Sequence, residues 1–553
     1  MRRGRCQTIW TTFGIKMTRL SPMSQWISTC RDIRTSARFL RAVGPFLRTR
    51  LSPDECRQRI VDHLRDRDAS FLRIVRSAMY GDRTSPYGAL ARHAGIEFGD
   101  VEGLVRTEGV EGTLGRLHDA GVRLTLDEFK GRRAIRRGSV EIAAGASSFD
   151  NHLPSQQFVA QTGGSRSRGR RMLVDLDLLA HEACYEFHSA TQLGYLRRPK
   201  AMWRPVPPGA AGLNGVLRFS KIDAPVDRWF SQSPVRSAAD WRHTLFTAGL
   251  VTASRLAGEP LASPEHVPVD RADVVAQWLA RCRTSGAPGL VDTNTTAAVR
   301  VCRAAEARGL AIDGSIFRLG GEPYSPGKAA VLARTGCRGY SNYSMTEIGR
   351  IGIACADQDE LDDVHVLSDK VALLQRDVRL PGGHTVQAFV ATALARSTPK
   401  VMINVELGDY GTLTKRPCGC VWSRLGFAWH LHGIRSYEKL TAEGMHFLGA
   451  DLETILDHVL PARFGGGPTD YQVIEEEHDG ATMITLLIDP RVGAVDEATA
   501  VAMLLDGLAA SGPAQRMMAN RWREAGVVRV KRGEAQVTRA GKILSLHLQS
   551  PGA

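Results

Sequence analysis

The sequence predicts an α/β protein in which a large, multi-layered domain precedes a small α+β domain. The chain has 553 residues, which is too many for one compact core, so two or three domains are expected. In its middle part, short apolar runs of strand length alternate with segments of helical periodicity, the pattern of an α/β sheet. The expected strands are 214–220, 287–292, 314–319 and 338–342, and the expected helices are 174–190, 240–256, 270–283 and 295–308.

The region before this alternation is expected to be helical. Apolar residues from Ile60 to Val75 recur at helical spacing, which predicts helix over 54–80. Ser52 and Pro53 stand directly before this stretch, and that pair is typical of a helix start.

The N-terminal segment 1–50 is strongly basic. It holds eleven Lys or Arg and one acid, Asp32, so it carries +10 of the net charge of +14 and leaves only +4 for the other 503 residues. A near-neutral body does not require a polyanion, and no nucleic-acid partner is expected. Three interpretations of the segment stay open: a disordered tail, sequence upstream of the true start (Met17 and Met23 are later candidates), or a transit-like leader.

A small C-terminal domain is expected from residue 433. Residues 427–434 alternate between apolar and polar side chains as a strand does. The expected elements that follow are a helix at 450–460, strands at 470–476 and 482–488, a helix at 495–511, and strands at 526–531 and 543–548. The predicted segments are therefore 1–50, 51–432 and 433–553, with a cleft between the two domains, which is a common site for ligands.

Cysteine usage and hydropathy indicate the compartment. Ten cysteines are scattered over the chain, which suits a reducing cytoplasm and not a disulfide framework. No run of about 18 apolar residues occurs, so no membrane insertion is expected.

Six short motifs carry the chemistry that the sequence offers. The first is a glycine- and hydroxyl-rich loop after an expected strand, Gln157–Gln161. Glycines let backbone N–H groups approach a phosphate, and hydroxyls and guanidinium groups can bind its oxygens. Alone, such a cluster is equally typical of a flexible surface loop, and it does not fit the Walker pattern. Its residues are Thr162, Gly163, Gly164, Ser165 and Arg166.

The other five motifs are each an ordinary turn when taken alone. A carboxylate beside a hydroxyl at a strand end, Thr346-Glu347, suits contacts to Mg²⁺ and phosphate. A carboxylate after a glycine, Asp409, can accept hydrogen bonds from two ribose hydroxyls, although Gly-Asp is also common turn chemistry. The motifs in order are Gly321-Glu322-Pro323, Tyr343 to Glu347, Gly408-Asp409, Arg435 and Gly541-Lys542.

The order and spacing of the six motifs resemble the adenylate-forming superfamily. The closest likeness is to its phenylacetate-CoA ligase-like branch, together with the acyl-protein synthetases of bacterial luminescence operons. The resemblance covers about 80–548. It implies a large multi-layered α/β adenylation domain, followed by a small mobile α+β C-terminal domain that carries a catalytic lysine.

The resemblance also implies a role for each motif. Residues Thr162 to Arg166 would hold the β- and γ-phosphates of ATP. Asp409 would bind the ribose with support from Arg435, and Lys542 would reach into the cleft when the small domain closes. The remaining assignments are Gly321, Glu322, Pro323 and Tyr343 to the adenine, Thr346 to the α-phosphate, and Glu347 to Mg²⁺.

Two departures from the family pattern stand out. The phosphate loop usually contains a lysine, and here it is rich in arginine, with Arg166 and Arg168 within it; the two side chains are not interchangeable. The hinge arginine is usually followed by any residue and then Asp, whereas Arg435 is followed by Ser436, Tyr437 and Glu438.

The predicted function is activation of a small carboxylic acid by ATP as an acyl-AMP, followed by transfer of the acyl group to a thiol, with CoA as the expected co-substrate. Two alternatives stay open. The acceptor is a protein or a carrier protein, as in the acyl-protein synthetases, or the chain is a non-catalytic nucleotide-binding subunit of an acyl-processing complex.

A second set of residues suggests a structural metal. Three cysteines and one histidine suit a tetrahedral Zn²⁺, and the resemblance extends to it, since some ligases of the phenylacetate branch carry a similar set. The alternative is a plain turn with reduced thiols. The residues are Cys355, His365, Cys418 and Cys420.

Overall fold

The structure is a computed structural model. It describes residues 36–548 except for short internal segments. The segments outside the description are 153–156, 162–170, 208, 237–240, 325, 380–384, 437–439, 443–444, 448–451, 453–454, 468–469, 479–480, 511–512 and 535–545, together with 1–35 and 549–553 at the ends.

Helices dominate the first part of the chain, and they recur between the strands of the second. Where described, they are α1 (36–48), α2 (Pro53–Arg65), α3 (Arg67–Val75), α4 (Pro86–Ala94), α5 (Phe98–Asp119), α6 (Leu126–Phe129), α7 (Leu176–Gln192), α8 (Ala210–Lys221), α9 (Trp241–Leu256), α10 (Ala272–Thr284), α11 (Thr295–Ala307), α12 (Pro326–Arg334), α13 (Val421–Leu425), α14 (Leu460–Phe464), α15 (Glu497–Ala510) and α16 (Pro513–Ala525). No helix in these described stretches is long and apolar enough to cross a membrane.

The strands are short at the start of the chain and longer after residue 338. They are β1 (Ile135–Arg137), β2 (Val140–Ile142), β3 (Gln157–Gln161), β4 (Arg171–Asp175), β5 (Lys200–Trp203), β6 (Arg228–Ser231), β7 (Pro264–His266), β8 (Leu290–Thr293), β9 (Ile316–Gly320), β10 (Arg338–Met345), β11 (Gly349–Ala354), β12 (Val364–Val366), β13 (Val371–Arg379), β14 (Thr385–Ala393), β15 (Val405–Lys415), β16 (Trp429–Ser436), β17 (Leu440–Ala442), β18 (Met445–Phe447), β19 (Tyr471–His478), β20 (Ala481–Ile488), β21 (Val528–Arg532) and β22 (Leu546–Leu548).

One sheet of twelve strands organises the large part of the molecule. Its order is β13-β14-β15-β16-β12-β11-β10-β9-β8-β5-β6-β7. The half from β10 to β7 is parallel and its crossovers contain helices, whereas the half from β11 to β13 is antiparallel. The predicted α/β class is confirmed.

The parallel half places several loops at one edge of the sheet. Parallel strands all end on the same side, and ligands of α/β proteins bind outside those carboxyl ends. The residues that follow β5, β6, β8 and β9 are Arg204, Gln232, Asn294 and Gly321, and Thr346 follows β10.

The helix predicted over 54–80 is present as α2, α3 and one further turn, Arg76–Tyr80. It begins as the sequence indicates. Ser52 is the N-cap, its side chain accepts a hydrogen bond from the Glu55 N–H, and Pro53 occupies the first helical position. This capping box satisfies backbone donors that a helix start otherwise leaves without partners.

Part of the basic N-terminal segment belongs to the folded body. In α1 the side chains of Phe39, Val43, Phe46 and Leu47 are buried. The ammonium of Lys221 donates to the carbonyl oxygens of Phe46 and Thr49, at 2.9 and 2.5 Å, and so satisfies the end of the helix. The predicted N-terminal segment 1–50 therefore extends too far as a tail, because residues 36–48 form a packed helix. Residues 1–35 lie outside the description.

The expected strand at 214–220 is wrong. These residues lie within α8, and most of them are buried there between neighbouring elements. The apolar run in this segment is short, and a short apolar run in a helix cannot be distinguished from a buried strand by periodicity alone. The predicted strands near 290, 316 and 340 are confirmed as β8, β9 and β10.

The C-terminal part of the chain forms a second sheet with its own core. Its strand order is β21-β20-β19-β22, and α15 and α16 pack on it through Leu504, Met518 and Trp522. β16 belongs to the large sheet and continues to Ser436, so the expected boundary between 432 and 433 falls inside a strand. The division into two domains that move stays a prediction.

Candidate active site

A cavity of about 270 Å³ lies at the carboxyl ends of the parallel strands. Gly321 and Thr346 line it from the ends of β9 and β10. Glu182 of α7 and Asn214 of α8 line it from the helical layer, and Arg521 of α16 closes it from the C-terminal unit. Polar and apolar groups from separate segments converge there, as expected of a small-molecule site.

The Gly321-Glu322-Pro323 loop is held by the strand beside it. Gly321 has φ of 91°, a left-handed conformation that favours glycine. Asn294 Nδ2 donates to Glu322 Oε1 at 3.1 Å, and Thr295 Oγ1 donates to the Glu322 carbonyl at 3.2 Å. The Lys328 ammonium donates to the Pro323 carbonyl at 3.3 Å. The loop is thus ordered by named contacts at the rim of the cavity.

Tyr343 and Asp409 meet in the structure. The Tyr343 hydroxyl donates to Asp409 Oδ2 at 2.8 Å. Tyr343 lies in β10 between two cavity-lining residues, Asn342 and Ser344. Two of the sequence-predicted nucleotide residues are thereby brought into direct contact by the fold.

The Thr346-Glu347 pair lies in the turn between β10 and β11. Met345 pairs with Gly349 across this hairpin, and Gly349 has φ of 82°. Glu347 is 3% exposed and forms an ion pair with Lys130, which comes from the loop after α6. Sequence analysis missed Lys130, because no motif surrounds it.

The lining of the cavity continues into a cluster of buried charges. Glu182 is its first centre: Oε1 accepts from the Lys370 ammonium at 2.7 Å and from the Arg350 N–H at 2.7 Å, and Oε2 accepts from Arg218 at 2.8 Å. Burial alone would raise the pKa of the Glu182 carboxyl, but Lys370, Arg218 and Arg350 together hold it below its ordinary value. Glu182 is therefore a carboxylate.

The second centre of the cluster is Arg318, which forms ion pairs with Glu186 and with Asp292. Arg350 also reaches Glu186, at 3.0 Å, and Arg204 reaches Asp292, at 2.7 Å. We call this set the buried charge cluster. Its members are Glu182, Glu186, Asp292, Arg204, Arg218, Arg318, Arg350 and Lys370.

These eight residues were not singled out from the sequence. They are scattered along the chain between residues 182 and 370, and no short pattern marks them. The available signal was the presence of charges within otherwise apolar elements, for example Arg318 between Phe317 and Leu319 in β9. Buried charges are paired, and they are most frequent at functional sites.

Arg435 lies at the end of β16, where it is the partner of Tyr410 across β15. Its guanidinium lies 3.6 Å from Asp362. Asp409 is the pairing partner of Ser436, one residue further along β16. The expected support of Asp409 by Arg435 is therefore replaced, among the contacts described, by an ion pair with Asp362.

Two parts of the predicted site lie outside the described residues. They are the phosphate loop, Thr162 to Arg166, and the C-terminal Lys542. The strand expected before the phosphate loop is confirmed as β3, which pairs with β4.

The three cysteines and the histidine of the expected metal site converge. Cys355 Sγ lies 3.9 Å from Cys418 Sγ, and Cys418 Sγ lies 3.2 Å from Cys420 Sγ. His365 Nε2 lies 3.4 Å from Cys418 Sγ and 3.0 Å from Cys420 Sγ. Tetrahedral Zn²⁺ with Zn–S bonds of about 2.3 Å requires S···S separations of about 3.8 Å, so the four side chains fit such an ion with small adjustments.

The surroundings of this cluster suit metal binding as well. His365 Nδ1 lies 2.9 Å from the Phe427 carbonyl, which accepts a hydrogen bond if that nitrogen is protonated and so leaves Nε2 free as a ligand. Hydrogen bonds from Cys355 and His365 lower the pKa of the Cys420 thiol below its ordinary value. Thiolates are the form that binds metals.

Comparisons with known proteins bear on the fold. No protein-family model and no curated protein sequence match the chain. A solved structure of 2-hydroxyisobutyryl-CoA ligase, in complex with 2-HIB-AMP and CoA in the thioesterification state, has a TM-score of 0.55 at 14% identity and covers 91% of each chain.

This chain has the fold of 2-hydroxyisobutyryl-CoA ligase. A second similar structure, malonyl-CoA ligase with methylmalonyl-CoA and AMP bound, has a TM-score of 0.40 at 16% identity over 68% of this chain and 71% of that chain. Only the first similarity exceeds 0.5, and at 14% identity it establishes a shared architecture.

Proposed function

We propose that this chain is an ATP-dependent carboxylic acid ligase, which forms an acyl-AMP and transfers the acyl group to a thiol, with CoA as the acceptor. The observation that carries the proposal is the convergence of Gly321 and Thr346 on one cavity at the carboxyl edge of the sheet, with Tyr343 bonded to Asp409 beside it. The shared fold and the motif order both support this reaction. The motif order further favours the phenylacetate-CoA ligase-like and acyl-protein synthetase branch.

In the proposed nucleotide site, the Gly321-Glu322-Pro323 loop and Tyr343 border the adenine, and Asp409 binds the ribose hydroxyls. The Tyr343 hydroxyl binds one oxygen of Asp409 and so orients the carboxylate. Thr162 to Arg166 hold the outer phosphates, and Arg435 stabilises the end of β16.

In the first proposed step, a carboxylate oxygen of the acid attacks the α-phosphorus of ATP. The bond from that phosphorus to the bridging oxygen of the β-phosphate breaks, and pyrophosphate leaves with the electron pair. No proton moves in this step. Thr346 and Lys542 stabilise the charge that develops on the phosphoryl oxygens, because positioned donors and cations are the main catalytic tools for phosphoryl chemistry.

Glu347 is the proposed Mg²⁺ ligand. Magnesium in nucleotide sites is held by one or two carboxylates together with the phosphates, and Glu347 supplies a carboxylate in the turn beside Thr346. Lys130 binds Oε1 of this carboxylate and so orients it. The ion would supply neutralisation of the phosphate charge.

In the second proposed step, the acceptor thiol loses its proton to solvent, and the resulting thiolate sulfur attacks the carbonyl carbon of the acyl-AMP. The bond from carbon to the phosphate oxygen breaks, and AMP leaves with the electron pair. A protein or carrier-protein thiol would react in the same way. We also propose that Zn²⁺ bound by Cys355, His365, Cys418 and Cys420 has a structural role, since all four positions are taken by protein.

The deciding experiment is acid-dependent ATP–pyrophosphate exchange with a panel of aryl, fatty, hydroxy and dicarboxylic acids. Exchange that is lost in both Lys542→Ala and Glu347→Gln supports adenylation. Thioester formation from free CoA then distinguishes CoA from a protein acceptor. If ATP binds but no acid supports exchange, the ligase proposal is wrong and the non-catalytic subunit is favoured.

A further inference from the structure

The buried charge cluster is not electrically balanced. It contains five cationic side chains and three carboxylates. Each carboxylate already binds at least two of the cations. Asp369, which precedes Lys370 in the chain, binds His181 and Tyr185 instead. Excess positive charge that is shielded from water is costly unless an anion compensates it.

Two guanidinium groups of the cluster have bonding capacity left at the cavity. Arg350 is 4% exposed, and its Nη1 has no hydrogen-bond partner within the described structure. The Nε of Arg218 is likewise buried without a partner there. Both residues line the cavity. Buried donors of native proteins are almost always satisfied, so a ligand atom is expected beside them.

The N-terminus of α8 lines the same cavity as Arg218 and Arg350, and we call these three features the wall. Gly209, Ala210, Ala211, Asn214 and Arg218 line the cavity along one face of this helix. The N-cap is Gly209, which has no side chain to bind the first N–H groups, and the first turn contains no acidic residue. The N–H groups of the first turn and the helix dipole therefore favour an anion at this point.

The wall lies within reach of the reacting centre. Arg350 pairs with Ser344 across the β10–β11 hairpin, and Thr346 follows two residues later. Thr346 and Arg350 both line the cavity. An acid whose reacting carboxylate lies beside Thr346 would therefore place a second group near Arg350 if a short chain joined the two.

We propose that the acid activated at this site carries a second negatively charged group, as a short dicarboxylate does, and that Arg218, Arg350 and the N-terminus of α8 bind it. The inference rests on the proposed ligase function and names its substrate class. The other available anion is a phosphate of the nucleotide, and the experiment separates the two.

The test is ATP–pyrophosphate exchange with succinate, glutarate and adipate, each beside the monocarboxylate and the monoamide of the same length. At least one diacid should exceed its matched monoacid about 30-fold in kcat/KM. Arg218→Gln should abolish that preference without changing the KM for ATP, and Arg218→Lys should keep part of it. Arg283→Gln, which removes a guanidinium from a surface ion pair with Asp313, is the control and should behave as the wild type.

Each outcome has a separate meaning. Equal rates with diacids and monoacids would overturn the inference and leave the ligase function standing. An increase in the KM for ATP in Arg218→Gln, with no change in acid preference, would show that the wall binds the nucleotide. That result would also overturn the inference. If no acid supports exchange, thermal unfolding with the diacids alone decides: a rise in Tm that Arg218→Gln removes supports the anion site, and no rise refutes it.

Discussion

The Tyr343 hydroxyl donates a hydrogen bond of 2.8 Å to the Asp409 carboxylate, although 66 residues separate the two in the chain. In Tyr343→Phe the carboxylate loses this donor and its fixed orientation. We expect the KM for ATP in pyrophosphate exchange to rise about tenfold. This corresponds to the roughly 1.5 kcal/mol that a hydrogen bond to a charged group contributes. Tyr340→Phe, in the same strand, is the control, and an equal effect of both substitutions would contradict the role.

The Lys130–Glu347 pair predicts a large effect on stability. The side chains are 9% and 4% exposed, so Lys130→Met removes a cation from a carboxylate that is buried. We expect the free energy of unfolding to fall by about 3–5 kcal/mol, measured by urea denaturation. The double variant Lys130→Met/Glu347→Gln should recover most of this loss, because it buries no charge. Failure to recover would show that Lys130 acts through other contacts.

The Cys/His cluster predicts bound zinc. The purified protein should contain about one Zn²⁺ per chain by elemental analysis, and Cys420→Ser should reduce that content and lower Tm. Cys282→Ser, at another buried cysteine, should leave the metal content unchanged. Protein that folds with full stability and without metal would favour the plain turn with reduced thiols.

Lys200 predicts a dependence of stability on pH. Burial lowers the pKa of its ammonium from the ordinary value of 10.5 to about 8, and the group donates to the carbonyls of Leu196 and Arg198 at 2.7 Å each. Between these pH values the unfolded chain binds more protons, so the free energy of unfolding should rise with pH. Urea unfolding at pH 7.5 and 9.5 should show a smaller rise in Lys200→Met. An identical rise would contradict the assignment.

The docking of α1 predicts that residues 36–50 are required for stability. Removing residues 1–50 takes away Phe39, Val43 and Phe46, which are buried, whereas removing 1–35 keeps them. We expect the longer deletion to lower Tm by several degrees relative to the shorter one. Lys221→Met should have a similar but smaller effect, since it leaves the carbonyls at the end of α1 without their donor. Equal Tm values for both deletions would contradict this.

Periodicity and motifs predicted most of the elements around the site, but they did not predict which side chains contact one another within it. The Gly321 turn, the Thr346-Glu347 turn and Asp409 could be named because each is a local signal, namely glycine or a carboxylate directly after an apolar run. The partners Lys130 and Asp362 could not be named, since their contacts depend on how distant segments fold together. No local pattern records which lysine approaches a given carboxylate.

Two errors of the sequence analysis share one physical cause. The apolar residues of 214–220 and the basic residues before residue 50 were assigned from composition over a short window. In the fold, tertiary packing determines both: α8 buries its short apolar run against its neighbours, and α1 keeps its arginines on the surface while Phe39 and Val43 pack inward. Local composition does not show which face a helix buries.

Arg521 of α16 lines the cavity and forms a hydrogen bond with Gln232, which follows β6. One wall of the pocket is therefore supplied by the C-terminal unit, and the opposite walls by the large sheet. Under the proposed function, both parts of the chain determine the selectivity for the acid. A chimera that joins residues 1–436 to the C-terminal unit of another ligase should then accept a different range of acids, although every residue around Thr346 is kept.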